Sequence, residues 1–152
     1  MTELPSPQLL ATLVSGVTDT MFGMSFNLSD EGKELPREEP PVWHRVVLPI
    51  SGQWPLTVAI ASDSQGANVL AHTMFSCPVD EVDGGMVNDA LSELVNIIAG
   101  QVKGAMSDLQ QTLGLPLVVD SIAAPAGKWR AATLKNDASH VVIWVAIIDR
   151  AV

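Results

Sequence analysis

The sequence is poor in cysteine and in basic residues. Cys77 is the one cysteine among 152 residues, so no disulfide can form within the chain and a reducing compartment is expected. Eight Lys and Arg stand against seventeen Asp and Glu, which gives a formal net charge of -9. A surface of that sign repels phosphate backbones and anionic lipid headgroups. Neither a nucleic acid nor a membrane surface is therefore expected as a partner.

Secretion signals and long apolar segments are missing as well. The N-terminus, MTELPSPQLL, has no basic stretch followed by a long apolar one. The most apolar run, residues 141–148, is too short to span a bilayer as a helix. These absences predict a soluble, cytoplasmic protein. Since 47% of the residues are hydrophobic, we expect one domain over residues 1–152 with a sizeable core.

The sequence also lacks the usual metal and nucleotide motifs. His44, His72 and His140 are far apart, and none has a His, Cys or carboxylate partner at a ligand spacing. The segment ASDSQGAN (61–68) does not have the spacing of a phosphate-binding loop. No metal site or nucleotide site is expected. The four tryptophans are expected to pack in the core or on the sheet: Trp43, Trp54, Trp129 and Trp144.

Helical and strand patterns alternate along the chain. Ser6 and Pro7 predict the start of an amphipathic helix over 7–22, and Gly23 predicts its end. Residues 43–50 and 55–62 are rich in Val and Ile and are joined by SGQW, which predicts a hairpin. The charged, proline-bearing segment at about 29–41 predicts an exposed loop.

The second half predicts further helices and strands. Helical periodicity covers 65–75 and then 86–113, and strand candidates follow at 115–125, 128–135 and 140–149. The last strand is apolar on both faces, which fits either a central strand or an edge strand paired across a dimer. The order of elements predicts an α+β fold, a largely antiparallel sheet with long helices packed on it.

The long helix carries a compact polar face. On an ideal helix its apolar residues face one way, while Asp89, Glu93, Asn96 and Gly100 fall within an arc of roughly 60° on the opposite side, with Lys103 beside it. A solvated helix face is the ordinary explanation of such a pattern. A glycine inside a helix costs about 1 kcal/mol against alanine, which favours a face shaped for close approach by another molecule.

This spacing resembles a known motif. Asp89-x3-Glu93-x2-Asn96, followed by IIAG, is similar to the surface-helix motif of the CheC/CheX/FliY family of chemotaxis phosphatases. The order of elements is also similar, and the likeness covers most of the chain. Because the motif occurs once, the single-motif CheX-like members are the better match. The downstream proline of the family pattern has no clear equivalent here, since Pro116 and Pro125 only flank its expected place.

The resemblance implies a function and assigns roles to residues. The expected activity is hydrolysis of the aspartyl phosphate on a CheY-like response regulator, with Asn96 orienting the attacking water and Glu93 engaging a basic residue of the regulator. Asp89, Gly100 and Lys103 would contribute docking contacts. No cofactor would be bound by this chain, since Mg²⁺ would be supplied by the regulator, and a homodimer is expected. Two alternatives remain open, a non-catalytic module that binds receiver domains and a purely structural dimer domain.

Overall fold

A computed structural model of the chain describes residues 4–31, 43–106, 110–120, 122 and 129–149. These residues form three α-helices, one short 3-10 helix and seven strands. The helices are α1 (Pro7–Phe22), α2 (Ser64–Phe75) and α3 (Gly84–Ala105), with the 3-10 turn at Val79–Glu81. The strands are β1 (Asn27–Glu31), β2 (Trp43–Gly52), β3 (Leu56–Asp63), β4 (Gln111–Leu113), β5 (Leu117–Val119), β6 (Trp129–Lys135) and β7 (Val142–Ile148).

All seven strands belong to one antiparallel sheet. The strand order is β1-β6-β7-β3-β2-β4, and β5 also pairs with β2. Strand β7 has β6 on one side and β3 on the other, so it is a central strand. The alternative in which this apolar strand lies at an edge and pairs across a dimer is therefore wrong. Its two apolar faces are explained by burial on both sides of the sheet.

The helices cover one face of the sheet. Helix α3 lies on β2 and β3 and has α1 on one side and α2 on the other. The main core fills the space between these layers, and the fully buried side chains include Leu48, Ile60, Leu94 and Ile98. The α+β class with helices on an antiparallel sheet is confirmed.

A second apolar cluster lies within the sheet, separate from the main core. Four buried alanines form its centre: Ala59, Ala61, Ala131 and Ala146. Trp144 is buried among them, and Trp43 and Trp129 pack against the cluster, while Trp54 packs against the main core. The tryptophans therefore pack within the fold, as the sequence predicts. Broad indole rings beside small alanine side chains fill space that neither residue type would fill alone.

Local signals account for the ends of α1. The Ser6 hydroxyl accepts a hydrogen bond from the backbone N–H of Leu9 at 3.1 Å, and Pro7 occupies the first turn. Gly23 ends the helix in the left-handed conformation, with φ at 64°. The predicted range of 7–22 is confirmed, because each end has a residue type that satisfies the terminal backbone groups.

Three predicted boundaries are wrong. Residues 29–31 were expected in the loop but belong to β1, whose polar composition suits an exposed edge strand paired with β6 alone. Helix α3 ends at Ala105, and residues 111–113 form β4, which exists through its pairing with β2. Strand β5 is limited to Leu117–Val119, directly after Pro116. The remainder of the predicted loop, 32–41, lies outside the described residues.

Candidate functional site

Helix α3 is a rigid support with a well-defined start. The Asp83 carboxylate caps it by accepting a hydrogen bond from the backbone N–H of Met86 at 2.8 Å. The face toward the sheet is fully apolar and buried, and it comprises Val87, Ala90, Leu91, Leu94, Val95, Ile98, Ala99 and Val102. This packing fixes the rotation of the helix about its axis. It therefore fixes which residues point outward.

The five predicted site residues lie together on the outward face. Asp89, Glu93, Asn96, Gly100 and Lys103 are all exposed. They follow one another at spacings of three and four residues, so neighbouring Cβ atoms are about 5–6 Å apart. The row runs for about 21 Å along the helix at 1.5 Å per residue. We refer to these five residues as the motif stripe.

The polar groups of the motif stripe have no partner within the described part of the chain. The side chains of Asp89, Glu93, Asn96 and Lys103 form no hydrogen bond or ion pair with any other described residue. Lys103 stands in the last turn of α3, where a cation interacts favourably with the helix dipole. The Asn96 amide keeps both its donor and its acceptor available. No described residue of the chain therefore competes with a second molecule for these groups.

Nothing in the described part of the structure requires a glycine at position 100. It is helical, it does not have a positive φ, and a Cβ built on it would meet nothing within 4 Å. Its lack of a side chain therefore serves neither the backbone conformation nor packing within the described structure. What it does is leave a flat, open place on the motif stripe one turn after Asn96, where another backbone can approach closely.

The helical layer is strongly acidic. The sequence has no Lys or Arg before Lys33 and none between Arg45 and Lys103. The helices, the 3-10 turn and the residues capping them accordingly carry one cation, Lys103, and seven carboxylates: Asp19, Asp63, Asp80, Glu81, Asp83, Asp89 and Glu93. Charges of one sign across a surface attract a partner of the opposite sign and raise its rate of association.

A groove runs beside the motif stripe, between α1 and α3. Its volume is about 340 Å³, and its lining comes from both helices: Thr12, Leu13, Gly16, Val17, Thr20 and Met21 from α1, and Ile97 and Gln101 from α3. Ile97 stands four residues after Glu93 and three before Gly100, so it is their neighbour on the helix surface and the groove opens beside the motif stripe. No local sequence pattern indicates this groove, because it depends on how α1 and α3 pack side by side.

Other polar candidates lie away from this face. Among the described residues, no group of three or more His, Cys, Asp or Glu side chains is placed to hold a metal ion. His44 on β2 contacts the Ser64 hydroxyl at 3.3 Å. Burial and the neighbouring Arg45 lower the pKa of His44. None of the described helices is both long and apolar enough to cross a membrane.

Comparison with known proteins identifies the family. The family model described as chemotaxis phosphatase CheX matches residues 45–127, which is more than half of the chain. The chain belongs to the CheX family. The matched range contains the whole of α3 and with it the motif stripe. The resemblance read from the Asp89, Glu93 and Asn96 spacing is thereby confirmed at the level of the family.

Solved structures agree with this assignment of fold. CheX from Desulfovibrio desulfuricans is 18% identical, with 91% of this chain and 94% of that chain covered and a TM-score of 0.71. A chain of the CheX–CheY–BeF3–Mg²⁺ complex from Borrelia burgdorferi is 17% identical, with coverages of 97% and 99% and a TM-score of 0.77. Thermotoga maritima FliY is 12% identical, with coverages of 92% and 84% and a TM-score of 0.62. No curated protein matches the sequence.

Proposed function

We propose that this CheX-family chain accelerates hydrolysis of the aspartyl phosphate on a CheY-like response regulator. The observation that carries the proposal is the placement of Glu93 and Asn96 side by side, exposed and without a partner among the described residues, on a helix whose orientation the core fixes. Membership of a family of chemotaxis phosphatases supports the reaction class. The Borrelia burgdorferi CheX solved together with CheY supports the class of partner.

The chemistry requires little from this chain beyond positioning. An acyl phosphate is already activated, so a water oxygen attacks phosphorus, the bond to the aspartate oxygen breaks, and inorganic phosphate and the aspartate carboxylate are released. The attacking water must be held in line with the breaking bond. The Asn96 amide can accept a hydrogen bond from that water and donate one to a phosphoryl oxygen. Because it is neutral, it adds no negative charge beside the phosphate.

Glu93 serves docking in this proposal. Its carboxylate, one turn before Asn96, would pair with a basic residue beside the phosphorylated aspartate and so fix the pose of the amide. Asp89, Gly100 and Lys103 extend the contact along the motif stripe. The Mg²⁺ that neutralises charge on the phosphoryl oxygens belongs to the regulator in this scheme. This chain would then supply two side chains to a site whose other half is the substrate protein.

Substitution of Asn96 separates hydrolysis from binding. Asn96→Ala is expected to lower kcat about a hundredfold or more, the usual loss when one positioned polar group at a reacting centre is removed. KM should change little, because Glu93 and the rest of the motif stripe remain. Steady-state kinetics with a purified phosphorylated CheY-like regulator would measure both constants.

The chain offers a matched control for that substitution. Asn88 lies on the same helix one residue before Asp89, outside the motif stripe. Asn88→Ala should therefore keep the kcat of the wild type. Equal kcat values for the wild type and Asn96→Ala would refute the catalytic role of Asn96. Wild-type binding without any acceleration of hydrolysis would instead favour the non-catalytic receiver-binding module.

The homodimer implied by the resemblance remains a proposal. Strand β7 cannot provide the shared edge, since both its sides are paired. Leu115, Leu117 and Val118 lie on and before β5, whose only pairing among the described strands is with β2. They are 79%, 49% and 54% exposed, and a second copy paired along this edge would cover them. Light scattering after gel filtration should give twice the chain mass of 16.1 kDa. A mass of one chain at micromolar concentration would contradict the dimer.

A further inference from the structure

The groove between α1 and α3 is lined by apolar and uncharged polar side chains. Its floor is the buried Val17, and half-buried Leu13, Met21 and Ile97 form its sides. These residues pack against the main core from its edge. Among the described residues, no charged side chain lines the groove. Its volume of about 340 Å³ lies at the low end of the range of roughly 300–1,000 Å³ for small-molecule pockets, so it has room for one or two protein side chains.

The α1 wall is less polar than its composition indicates. The Thr12 hydroxyl donates a hydrogen bond to the carbonyl oxygen of Gln8 at 3.0 Å, and the Thr20 hydroxyl donates one to the carbonyl oxygen of Gly16 at 3.0 Å. Because both donors are used within the helix, the wall presents methyl groups and acceptor oxygens. An uncharged side chain would be accepted here, and a carboxylate would find no donor from either threonine.

Gly16 keeps the groove open. It is exposed in the middle of α1, has no positive φ, and a Cβ at this position would meet nothing within 4 Å. Glycine is a poor helix former, and at Gly16 it brings neither a turn nor close packing of the two helices. The same description holds for Gly100, on the other border of the groove. Both helices thus present bare backbone on either side of Ile97 and Gln101.

The occupant of the groove must arrive with the molecule that engages the motif stripe. Ile97 is the surface neighbour of Glu93 and Gly100, four and three residues away along α3, so a protein seated on the motif stripe lies beside the mouth of the groove. The surrounding helical layer has seven carboxylates and one cation, which favours a partner surface with basic residues around an uncharged protrusion. A receiver domain whose basic residue pairs with Glu93 has that charge arrangement.

We propose that the α1–α3 groove is a specificity pocket that receives an uncharged, mainly apolar side chain from the surface of the regulator next to its phosphorylated aspartate. Asn96 and Glu93 then act on any receiver domain placed correctly, while Gly16, Thr20 and Ile97 decide which receiver domain is placed correctly. The inference rests on the proposed function, in that it assumes a regulator as the partner of α3. It adds a discriminating contact on α1, a helix that carries no part of the motif.

A series of substitutions at Gly16 tests the pocket. Gly16→Ala, Gly16→Leu and Gly16→Trp place side chains of increasing size in the groove, each starting in open space, so the fold should be retained or stabilised. Ser15→Leu is the matched control, because position 15 points about 100° away around α1 and does not line the groove. Thermal unfolding of each variant would verify that the fold is intact.

Isothermal titration calorimetry would measure the affinity of each variant for a purified CheY-like regulator loaded with BeF3⁻ and Mg²⁺. The dissociation constant should rise with side-chain size at position 16, by about tenfold or more for Gly16→Leu, which is the scale of a lost or blocked side-chain contact. It should stay at the wild-type value for Ser15→Leu. In the hydrolysis assay the weaker binding should raise KM, while kcat at saturating regulator stays unchanged.

Different outcomes overturn different claims. Wild-type affinity in Gly16→Leu and Gly16→Trp would overturn the pocket and leave the proposed phosphatase intact. Unchanged KM with reduced kcat would also overturn it, because the groove would then act on the chemistry. If every variant, including Asn96→Ala, hydrolysed the phosphate as fast as the wild type, the proposed catalysis would be refuted. A loss of affinity that grows with side-chain size at position 16 would still support the pocket. Failure of the wild type to bind any regulator would overturn both.

Discussion

Asn96 is a neutral group on an acidic surface, and that contrast suits it to the role proposed for it. Asp89 and Glu93 precede it on the same face and would repel a phosphoryl group brought close to them. The amide brings no such repulsion and can both donate and accept a hydrogen bond. Glu93 is one turn away, which is near enough to pair with a cation beside the phosphate. In the proposed mechanism, Asn96 therefore acts on the chemistry and Glu93, its neighbour on the helix surface, serves docking.

His44 gives the fold a dependence on pH that is separate from the site. Burial, and secondarily Arg45, lower its pKa below the ordinary value, so the unfolded chain takes up this proton more readily than the folded one. The free energy of unfolding should therefore fall as the pH drops below about 6.5, the ordinary pKa of histidine, until the pH passes below the pKa of the folded state. Stability at pH 7 and above keeps the full contribution of neutral His44.

Replacement of His44 tests this linkage. In His44→Gln, the decrease in the free energy of unfolding between pH 7 and pH 5 should be smaller than in the wild type. Urea titrations at several pH values in this range would measure the difference. Parallel pH dependences for the two proteins would contradict the assigned role of His44.

At the scale of elements, helix α3 is less stable with Gly100 than it would be with alanine at this position. Replacing Gly100 with alanine should stabilise the free protein by about 1 kcal/mol, which corresponds to a rise in Tm of roughly 2–4 °C for a chain of this size. The same methyl group would stand in the way of a partner on the motif stripe. Affinity for the regulator should therefore fall while Tm rises. Differential scanning calorimetry and binding measured on one preparation would show both changes.

Gly104→Ala is the control for that change. Gly104 is also an exposed helical glycine with open space around its Cα, but it lies one turn further from Asn96. It should reproduce part of the stabilisation with a smaller loss of affinity. If Gly100→Ala binds as tightly as the wild type, the open place at Gly100 is not used in docking.

The elements differ in how well their sequence determines them. Helix α1 could be predicted to the residue because Ser6, Pro7 and Gly23 act locally at its ends. The end of α3 could not, since apolar residues continue at helical spacing past Ala105 while β4 forms only by pairing with β2. Strand β1 was missed for the same reason. Its polar sequence, NLSDE, becomes a strand through pairing with β6 at the sheet edge.

The candidate site could likewise be predicted from the sequence only in part. The motif stripe could be found from sequence because all five residues lie on one helix, where spacing determines direction. The groove could not, because Gly16 and Ile97 are brought together only when α1 and α3 pack side by side on the sheet. A glycine and two threonines spaced four residues apart in α1 were the available signal, and nothing local distinguishes them from an ordinary solvated face.

At the scale of the whole molecule, charge should govern the rate of encounter. The helical layer carries a marked excess of carboxylates, and the chain has a net charge of -9. Association with a regulator whose docking face is basic should therefore slow as salt is raised from about 0.05 to 0.5 M, because the Debye length shortens from more than 10 Å to a few ångströms. The dissociation rate should change much less.

Stopped-flow measurement of both rate constants over this salt range tests the electrostatic account. Asp80→Asn combined with Glu81→Gln, at exposed positions on the 3-10 turn outside the motif stripe, should lower the association rate at low salt and leave kcat unchanged. An association rate that is independent of salt would show that the acidic layer does not steer the partner.

In the proposed function, one molecule of this chain dephosphorylates many molecules of the regulator. The most direct measurement is the decay of radiolabelled phosphate on a purified CheY-like regulator, with the wild type or Asn96→Ala present in amounts well below stoichiometric. The wild type should remove all the label over many turnovers, and the variant should leave the decay at its spontaneous rate. Decay that is unchanged by the wild type, with the regulator still bound, would contradict the claim.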